Sequence, residues 1–375
     1  MRVAIVTESF LPSVNGVTNS VIKILESLKA EGHEAIIIAP TSPVDEYLGF
    51  PIIKTTNFRF KSFPVALPLI NMTSIIRSFK PDVVHVASPF LLGRQALAVS
   101  RRLSIPCVAV YQTDIAGYTS RYGLGLLAAA GRRVVKDIHQ LADITLAPTN
   151  ETARYLREIG VTRVAVWGRG VDTSLYYPQR RTSTATHKLR DRIAPNHELV
   201  VGFVGRIAPE KQVARFSEMF GLKNAVFLIV GDGPQRQSLE SEFAGHPVTF
   251  TGELHGEELA TAYAAMDVFV HCGEEETFGQ TIQEALASGV PVVAPASGGP
   301  KALINSGENG FLVDPREPRA YRKAVKKILK HADVRHEMRV NARASVVGKS
   351  WKSNNAKLFK HYAGLIGIEY DLAHS

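Results

Sequence analysis

Two glutamates spaced eight positions apart could hold the hydroxyl groups of one ligand. Glu276 and Glu284 lie in the run GEEETFGQTIQEALASG, residues 273–289, and the step Phe278-Gly279 between them can open a helix. At about 1.5 Å per residue, the two carboxylates are at most roughly 12 Å apart along the helix axis. Carboxylates are strong acceptors for paired hydroxyls. This spacing predicts that Glu276 holds a sugar and Glu284 a ribose.

The backbone between these glutamates could bind phosphate. If the helix begins near Gly279, the amides of Gly279, Gln280 and Thr281 lie at the positive end of the helix dipole, outside the hydrogen-bond ladder. Helix starts of this kind bind phosphate groups. The segment therefore predicts a sugar-nucleotide site. A solvated acidic turn that runs into an amphipathic helix is the alternative interpretation.

Two cations follow an apolar run that reads as a buried strand. The run Leu199 to Val204 is followed by Arg206 and Lys211. A guanidinium fork and an ammonium point charge suit a diphosphate that gains negative charge as its bond to a sugar breaks. In isolation such a pair is more typical of a solvated loop. Its place after the first strand of a domain favours a catalytic role.

Three further turns of the second half follow strand-like runs. Residues 231–234 read Gly-Asp-Gly-Pro, which is not a dinucleotide fingerprint and indicates a tight turn. Residues 251–255 end in His255, at a place where a nucleobase edge or only a surface turn could lie. The pair Gly298-Gly299 permits close backbone approach to a ligand, or merely a sharp turn.

The first half also offers candidates after its strands. Gly16 precedes an amphipathic helix predicted from Thr18 to Ala30 and could let the backbone approach phosphates. Asp114 follows a strand and could orient a sugar hydroxyl or accept a proton, although an Asp capping the next helix is an equal alternative. His85, at a strand end, is interpreted as a structural histidine.

The order of apolar runs predicts an α/β protein with two Rossmann-like domains. Short β-branched runs alternate with helical patterns, which is typical of parallel sheets with helical crossovers. We expect an N-terminal domain over residues 1–178, a linker over 179–198, a C-terminal domain over 199–350, and a helix within 351–375 that crosses back to the first domain. Such domains place ligand sites at the carboxyl ends of both sheets, so the two sites would face each other across a cleft.

Composition excludes several other classes of protein. The chain has 375 residues, 45% of them hydrophobic and 21% charged, which indicates folded domains. No apolar run is long enough to span a membrane, and the start is too weakly apolar for a secretory signal, so a cytoplasmic location is predicted. Cys107 and Cys272 have no metal-like spacing and no Asp-x-Asp triplet occurs, so no metal or other cofactor is expected.

The net charge of +9 is unevenly distributed. Residues 1–179 hold 19 Lys and Arg against 13 Asp and Glu, whereas residues 199–349 hold 17 against 18. The excess on the first half indicates an anionic partner, for which a membrane surface, a phospholipid-based acceptor and nucleic acid all qualify. Aromatics alternate with Arg59 and Lys61 from Phe58 to Phe63, but no RNA-binding signature accompanies them. We therefore expect a peripheral membrane contact and no nucleic acid.

The stretch after these aromatics admits two interpretations. Apolar residues recur at helical spacing from Leu69 to Phe79. Such a basic, amphipathic edge can lie in a lipid interface, which would place the protein on the inner face of the cell membrane. A stripe of this kind is more often part of a core.

Taken together, these segments resemble the retaining GT-B glycosyltransferases of family 4. The motif Glu276-Thr277-Phe278-Gly279 with Glu284 is similar to the E-x-F-G-x4-E signature of that family, and it stands in order with Arg206 and Lys211. The resemblance implies catalytic roles for Arg206, Lys211 and Glu276. We add Asp114, where many members carry His. The candidate donor-binding residues are Gly16, Arg206, Lys211, His255, Glu276, Phe278, Gly279, Gln280, Thr281 and Glu284.

Within the family, other segments are similar to one branch. Gln112-Thr113-Asp114, residues 169–173 and the opening Glu8-Ser9-Phe10 resemble bacterial GDP-mannose-dependent glycolipid mannosyltransferases, and less closely the sulfoquinovosyl transferases. The resemblance implies transfer of mannose from GDP-mannose to a hydroxyl of an anionic glycolipid. A transferase that uses a UDP-sugar, glucose or sulfoquinovose, is the alternative. A sugar-nucleotide epimerase of the same shape and a binding module without catalysis are further ones.

Overall fold

The chain folds into two α/β units. A computed structural model describes residues 1–13, 15–40, 42–55, 57–60, 63–66, 68–112 and 125–370. Met1–Gly170 and Trp351–Ser375 form the first unit, and Val171–Ser350 form the second. Within the described ranges, no helix is long and apolar enough to cross a membrane, and no three His, Cys, Asp or Glu side chains are grouped as a metal site requires.

The first unit is built on a largely parallel sheet. Its strands are β1 (Arg2–Val6), β2 (Glu34–Pro40), β3 (Glu46–Tyr47), β4 (Phe50–Thr55), β7 (Val83–Val86), β8 (Cys107–Val110), β9 (Ile144–Ala147) and β10 (Val164–Val166). They are ordered β10-β9-β8-β7-β1-β2-β4-β3, and β3 pairs antiparallel with β4. A separate hairpin joins β5 (Asn57–Phe60) to β6 (Phe63–Ala66). The short apolar runs of this half, which predict parallel strands, form β1, β2, β7, β8 and β9.

Helices cover both faces of this sheet. They are α1 (Gly16–Ala30), α2 (Met72–Phe79), α3 (Leu91–Arg102), α4 (Gly125–His139) and α5 (Asn150–Glu158). Successive residues of β1 belong to different apolar clusters: Ile5 lies in the same cluster as Leu25 of α1, and Val6 in the same cluster as Leu97 of α3. A strand buried on both faces reads as a continuous apolar run, which is why the sequence revealed it.

The last helix, α13 (Trp351–Ile366), belongs to the first unit. Phe359 and Tyr362 are fully buried in the same cluster as Ile5. The Tyr362 hydroxyl forms a hydrogen bond of 2.7 Å with Nδ1 of His85, and Asn355 donates to the Lys23 carbonyl at 2.8 Å. Burial lowers the pKa of His85 to about 3, so the ring is neutral. The structural interpretation of this histidine is confirmed.

The second unit contains a six-stranded parallel sheet. Its strands are β11 (Leu199–Val204), β12 (Ala225–Val230), β13 (Val248–Gly252), β14 (Val268–Val270), β15 (Val292–Pro295) and β16 (Gly310–Val313), in the order β13-β12-β11-β14-β15-β16. The order reverses between β11 and β14. Ligands of doubly wound sheets bind at the carboxyl ends of the strands on either side of such a switch point.

Helices cover this second sheet as well. They are α6 (Thr184–Ile193), α7 (Arg236–Glu242), α8 (Gly256–Ala265), α9 (Gln280–Ala287), α10 (Pro300–Leu303), α11 (Ala320–Lys330) and α12 (Ala332–Ala344), with short 3-10 turns at Pro178–Thr182, Pro209–Lys211 and Val213–Met219. Val200 and Phe203 of β11 lie in clusters on opposite faces of the sheet.

Residues 179–198, which the sequence predicted as a linker, are instead part of a folded unit. They contain α6 and lie within the second unit, which begins at Val171. Arg181 and Arg190 donate to the two carboxylate oxygens of Asp267 at 2.6 and 3.0 Å. Arg190 lies on α6 and Arg181 in the 3-10 turn before it, so polar contacts anchor this segment, whose apolar period is weak.

The amphipathic stretch from Leu69 to Phe79 contains α2 and contributes to the core. Met72 and Ile76 are fully buried, in the same cluster as Val84 of β7. Ile70, by contrast, is fully exposed. The core interpretation therefore holds for the buried face of α2, and the side chains of residues 57–66 lie outside what the structure describes.

Candidate functional site

The N-terminus of α9 lies beside the switch point of the second sheet. The helix begins at Gln280, with Gly279 as its N-cap, as the sequence predicted. The Gly279 amide donates to Oε1 of Glu276 at 3.2 Å, so this carboxylate folds back over the helix start. Because the first turn has no preceding carbonyls within the helix, the amides of Gln280 and Thr281 point toward the same end. The arrangement combines a carboxylate with the positive end of a helix dipole.

Lys211 meets the same carboxylate from the other side of the switch point. Its Nζ donates to Oε2 of Glu276 at 2.7 Å. Lys211 ends a 3-10 turn after β11, whereas Glu276 follows β14, so the strand order brings together residues 65 positions apart. The two side chains are 27% and 18% exposed, which leaves the pair accessible to a ligand.

Arg206 lies in the loop that directly follows β11. Its guanidinium donates to Oε1 of Glu210 at 2.6 Å, and its side chain is 50% exposed. Burial acts to raise the pKa of Glu210, but the hydrogen bonds from Arg206 and the backbone, together with the charges of Arg206 and Lys211, outweigh it, and the pKa is lowered. The turn at residues 231–234 supports this loop, because the Ile207 amide donates to the Asp232 carbonyl at 2.8 Å.

The glycine pair at the end of β15 packs against the Glu276 loop. The Gly299 amide donates to the Glu276 carbonyl at 2.6 Å. Gly298 has φ +56, and a Cβ there would lie 2.4 Å from the same carbonyl oxygen, closer than atoms can approach. The close backbone approach expected of these glycines is therefore made to the loop that holds Glu276.

Glu284 lies about one and a half turns after Gly279, the N-cap of α9. The buried Tyr263 hydroxyl donates to its Oε2 at 2.9 Å. Burial, together with the nearby Glu284 charge, raises the pKa of Tyr263 well above its usual value, so the phenol remains a donor. The sequence did not single out Tyr263, because a tyrosine in an alanine-rich helix carries no signal of a polar role.

Two other predicted donor residues have different surroundings. Phe278 is 5% exposed and belongs to the same apolar cluster as Ile282 and Leu303, so its ring anchors the start of α9 within the core. His255 occupies the N-cap position of α8 without a side-chain capping bond, and its side chain is 74% exposed. It lies on the surface, where a large ligand could reach it.

Of the two candidates in the first unit, the structure describes Gly16. Gly16 is the first residue of α1, capped by Asn15, whose Oδ1 accepts from the Val17 amide at 2.9 Å. A Cβ on Gly16 would lie 2.6 Å from the Arg169 guanidinium, which donates to Gln112 at 2.7 Å. A side chain at position 16 would therefore have to displace the end of the Arg169 side chain. Asp114 lies outside the described residues, and its role remains a prediction.

His271 is a buried side chain of the site that the sequence did not indicate. It directly follows β14, and its Nε2 lies 3.9 Å from Oε2 of Glu276. A histidine at the end of an apolar strand has no distinguishing spacing in the sequence. Of the predicted residues, the structure therefore brings Lys211, Glu276 and the α9 start into direct contact, with Arg206 on the adjoining loop.

Two protein-family models match this chain. Glycosyl transferases group 1 matches residues 186–345, and Glycosyltransferase Family 4 matches residues 14–175. Together they cover both units.

Curated relatives are similar over almost the whole chain. The GDP-mannose-dependent alpha-mannosyltransferase of Corynebacterium glutamicum is 43% identical over 98% of this chain and 90% of its own length. The sulfoquinovosyl transferase SQD2 of Arabidopsis thaliana is 32% identical over 95% of this chain and 72% of its own length. The greater similarity is to the mannosyltransferase, in agreement with the branch that the sequence motifs favoured.

Solved structures show the same architecture. The structure of Anabaena Alr3699/HepE in complex with UDP-glucose matches with a TM-score of 0.77, covering 97% of this chain and all of the other, at 20% identity. At this identity the likeness concerns the fold alone. The GT-B fold expected from the sequence motifs is confirmed.

Proposed function

The chain belongs to glycosyltransferase family 4, and on this premise we propose that it transfers mannose from GDP-mannose to a hydroxyl of an anionic glycolipid or phospholipid-based acceptor, with retention of configuration. One observation carries the proposal: Lys211, Glu276 and the start of α9 meet at the switch point of the second sheet. A cation, a hydroxyl acceptor and a helix N-terminus are the groups that a glycosyl diphosphate requires.

The sugar and the diphosphate take different groups of this site. We assign the hydroxyls of the donor sugar to Glu276, whose carboxylate can accept two hydrogen bonds at once. We assign the diphosphate to Lys211, Arg206 and the amides of Gln280 and Thr281. Because Lys211 and Arg206 are each paired with a carboxylate in the structure, donor binding replaces those carboxylates by phosphate oxygens. The cations are thereby held near their working positions before the donor arrives.

The chemistry follows from where charge develops. The bond between C1 of mannose and the diphosphate oxygen breaks, which leaves oxocarbenium-like charge on the sugar and negative charge on the phosphate. Lys211, Arg206 and the α9 dipole stabilise the departing phosphate. The acceptor hydroxyl attacks C1 from the face that the phosphate leaves, and the phosphate oxygen takes its proton. This route gives retention without a protein nucleophile or a metal ion.

The nucleoside is assigned to the outer part of the same unit. Glu284, held by the Tyr263 hydroxyl, suits the paired hydroxyls of a ribose. The exposed His255 is a candidate for the edge of the base.

Donor choice is the test of the proposal. With GDP-mannose, UDP-glucose and UDP-sulfoquinovose offered in parallel with membrane lipid extract, we expect GDP-mannose to give the highest kcat/KM for glycolipid formation. The relative 43% identical to this chain is named for that donor, which supports the expectation. Products are measured by radiolabel transfer into the lipid phase, with GDP release followed in the same samples.

Other outcomes of this assay would identify the alternatives. Preferred use of a UDP-sugar would replace the donor assignment and favour the sulfoquinovosyl or glucosyl branch. Donor consumption that requires no acceptor and yields no glycosylated lipid would indicate an epimerase. Tight donor binding without consumption, in the presence of every lipid fraction, would indicate a binding module. Each of these results contradicts the proposed mannose transfer.

We also propose that the first unit contacts the inner face of the cell membrane. The proposal rests on the excess of positive charge over residues 1–179, on the exposed Ile70 just before α2, and on the exposed Arg77 and Lys80 at the end of that helix. Positive charge attracts the protein to anionic lipids with a strength that falls as salt rises.

Vesicle flotation tests this contact. We expect the protein to float with phosphatidylglycerol vesicles at low salt and to be released from them at about 0.5 M salt. It should not float with phosphatidylcholine vesicles. The pair Arg77→Glu and Lys80→Glu should weaken flotation. The matched pair Lys323→Glu and Lys326→Glu reverses two exposed charges on the second unit and should have little effect. Equal loss in both pairs, or no flotation of the wild type, argues against the contact.

A further inference from the structure

His271 is fixed in a buried position next to the proposed donor site. Its backbone amide donates to the Val293 carbonyl at 2.9 Å, which continues the ladder between β14 and β15. Its side chain is 2% exposed. Neither ring nitrogen makes a hydrogen bond of normal geometry with the described residues, and the Gly273 backbone lies nearby. A buried polar ring that lacks a full hydrogen bond is costly and calls for an explanation.

The charged groups that face the ring are Glu276 and Lys211. Nε2 lies 3.9 Å from Oε2 of Glu276, the oxygen that Lys211 holds at 2.7 Å. Burial lowers the pKa of His271 to about 4; Glu276 acts to raise it and Lys211 to lower it. The ring is therefore neutral near pH 7 and carries one N–H donor and one acceptor nitrogen.

Donor binding creates a need that this ring can meet. If Lys211 turns to the diphosphate, Oε2 of Glu276 loses a charged hydrogen-bond donor at the moment when the carboxylate must hold the sugar hydroxyls. His271, the residue after β14, places Nε2 3.9 Å from that oxygen. A shift of about 1 Å brings Nε2 into hydrogen-bond distance. Only the tautomer with hydrogen on Nε2 can donate there.

We propose that His271 is a positioning residue, whose Nε2–H takes over Oε2 of Glu276 when Lys211 engages the diphosphate. The inference rests on the proposed function, since it deepens the role given there to Glu276. The ring does not touch the reacting atoms; it fixes the carboxylate that does. It also explains why a polar ring is retained among the apolar residues at the end of β14.

Substitutions that keep or remove the donor at the Nε2 position test the proposal. Gln places its amide nitrogen near the position of Nε2, whereas Asn places it near that of Nδ1, and Leu has no donor. We expect His271→Leu and His271→Asn to lower kcat for mannose transfer about tenfold, the usual size for a lost hydrogen bond to a charged group. His271→Gln should stay within about threefold of the wild type. Affinity for GDP, which carries no sugar, should be unchanged in all three.

Two controls separate positioning from a general effect on packing. Cys272→Ala removes a fully buried neighbour on the same segment and should leave kcat near that of the wild type. In a Glu276→Gln background, His271→Leu should cause little further loss, because the ring acts through that carboxylate. Full additivity of the two substitutions, equal impairment by Gln and Leu, or an unchanged kcat in His271→Leu overturns the proposal.

The same experiment distinguishes failure of this inference from failure of the proposed function. If the wild type transfers mannose and the His271 series shows no dependence on the donor position, only the positioning role is lost. If the wild type transfers no mannose to any lipid fraction, the proposed function itself is wrong and the inference fails with it.

Discussion

Glu276→Gln is expected to lower kcat for mannose transfer at least about 100-fold, with GDP binding retained. A hydrogen bond to a charged group is worth about 1.5–3 kcal/mol. Gln replaces one acceptor oxygen by an NH2 donor and leaves the other uncharged, so one such bond to the sugar is lost and the second is weakened, which corresponds to about two orders of magnitude. GDP lacks the sugar and therefore does not use this carboxylate. Because Glu276 holds Lys211 at 2.7 Å in the structure, removing its charge also frees Lys211 for phosphate. GDP affinity should stay equal or become slightly tighter, as measured by calorimetric titration.

The control for this substitution lies two residues earlier. The Glu274 carboxylate accepts from Gln212 at 3.3 Å and lies 3.7 Å from Arg215, so it has partners outside the contacts assigned to the donor. Glu274→Gln should keep kcat within about threefold of the wild type. Both variants should unfold within about 4 °C of the wild type, because each removes one partly exposed ion pair. Near-normal turnover in Glu276→Gln across the donor panel would remove this residue from the sugar site.

Much of the fold followed from the sequence because both sheets are buried. Runs such as Val3–Val6 and Leu199–Val204 are apolar on both faces, so their composition alone marked them as parallel strands. The strand Phe50–Thr55 alternates between buried and exposed residues, and the edge strand Gly310–Val313 begins with glycine and has two half-buried positions. Such strands resemble loops in sequence, because only their neighbours in the sheet complete the apolar environment.

Parts of the candidate site could also be predicted from the sequence, and other parts could not. The helix start at Gly279 could be predicted, because the turn, the amides and the nearby carboxylate are local in sequence. The contact between Lys211 and Glu276 could be anticipated only through strand order, which places the loops after β11 and β14 side by side. Tyr263 and His271 gave no signal, since their roles depend on where a buried side chain points rather than on spacing. The role of helix α6 was missed for the same reason: Asp267, its ion-pair partner, is distant in sequence.

Lys211→Ala is expected to reduce kcat by about 100-fold or more and to weaken GDP binding as well. Removal of one preorganised group that stabilises a developing negative charge typically costs that much. Of the two cations, the Lys211 ammonium should stabilise the departing diphosphate more strongly, because its side chain is 27% exposed against 50% for Arg206. A charge nearer to water is more strongly screened, so Arg206→Ala should cost less, about tenfold in kcat. Initial rates and calorimetric GDP titrations measure both effects.

The direction of the change in GDP affinity separates the two halves of the site. The released diphosphate carries its full charge, so Lys211→Ala must weaken GDP binding, whereas Glu276→Gln must not. Lys223→Ala is the matched control. This lysine is exposed in the turn before β12, at the amino end of that strand, whereas the site lies at the carboxyl ends. Its loss should change neither kcat nor GDP affinity. If Lys211→Ala binds GDP as the wild type does, then the ammonium does not meet the diphosphate. Its role would then be limited to holding Glu276, and the phosphate charge would fall to Arg206 and the start of α9.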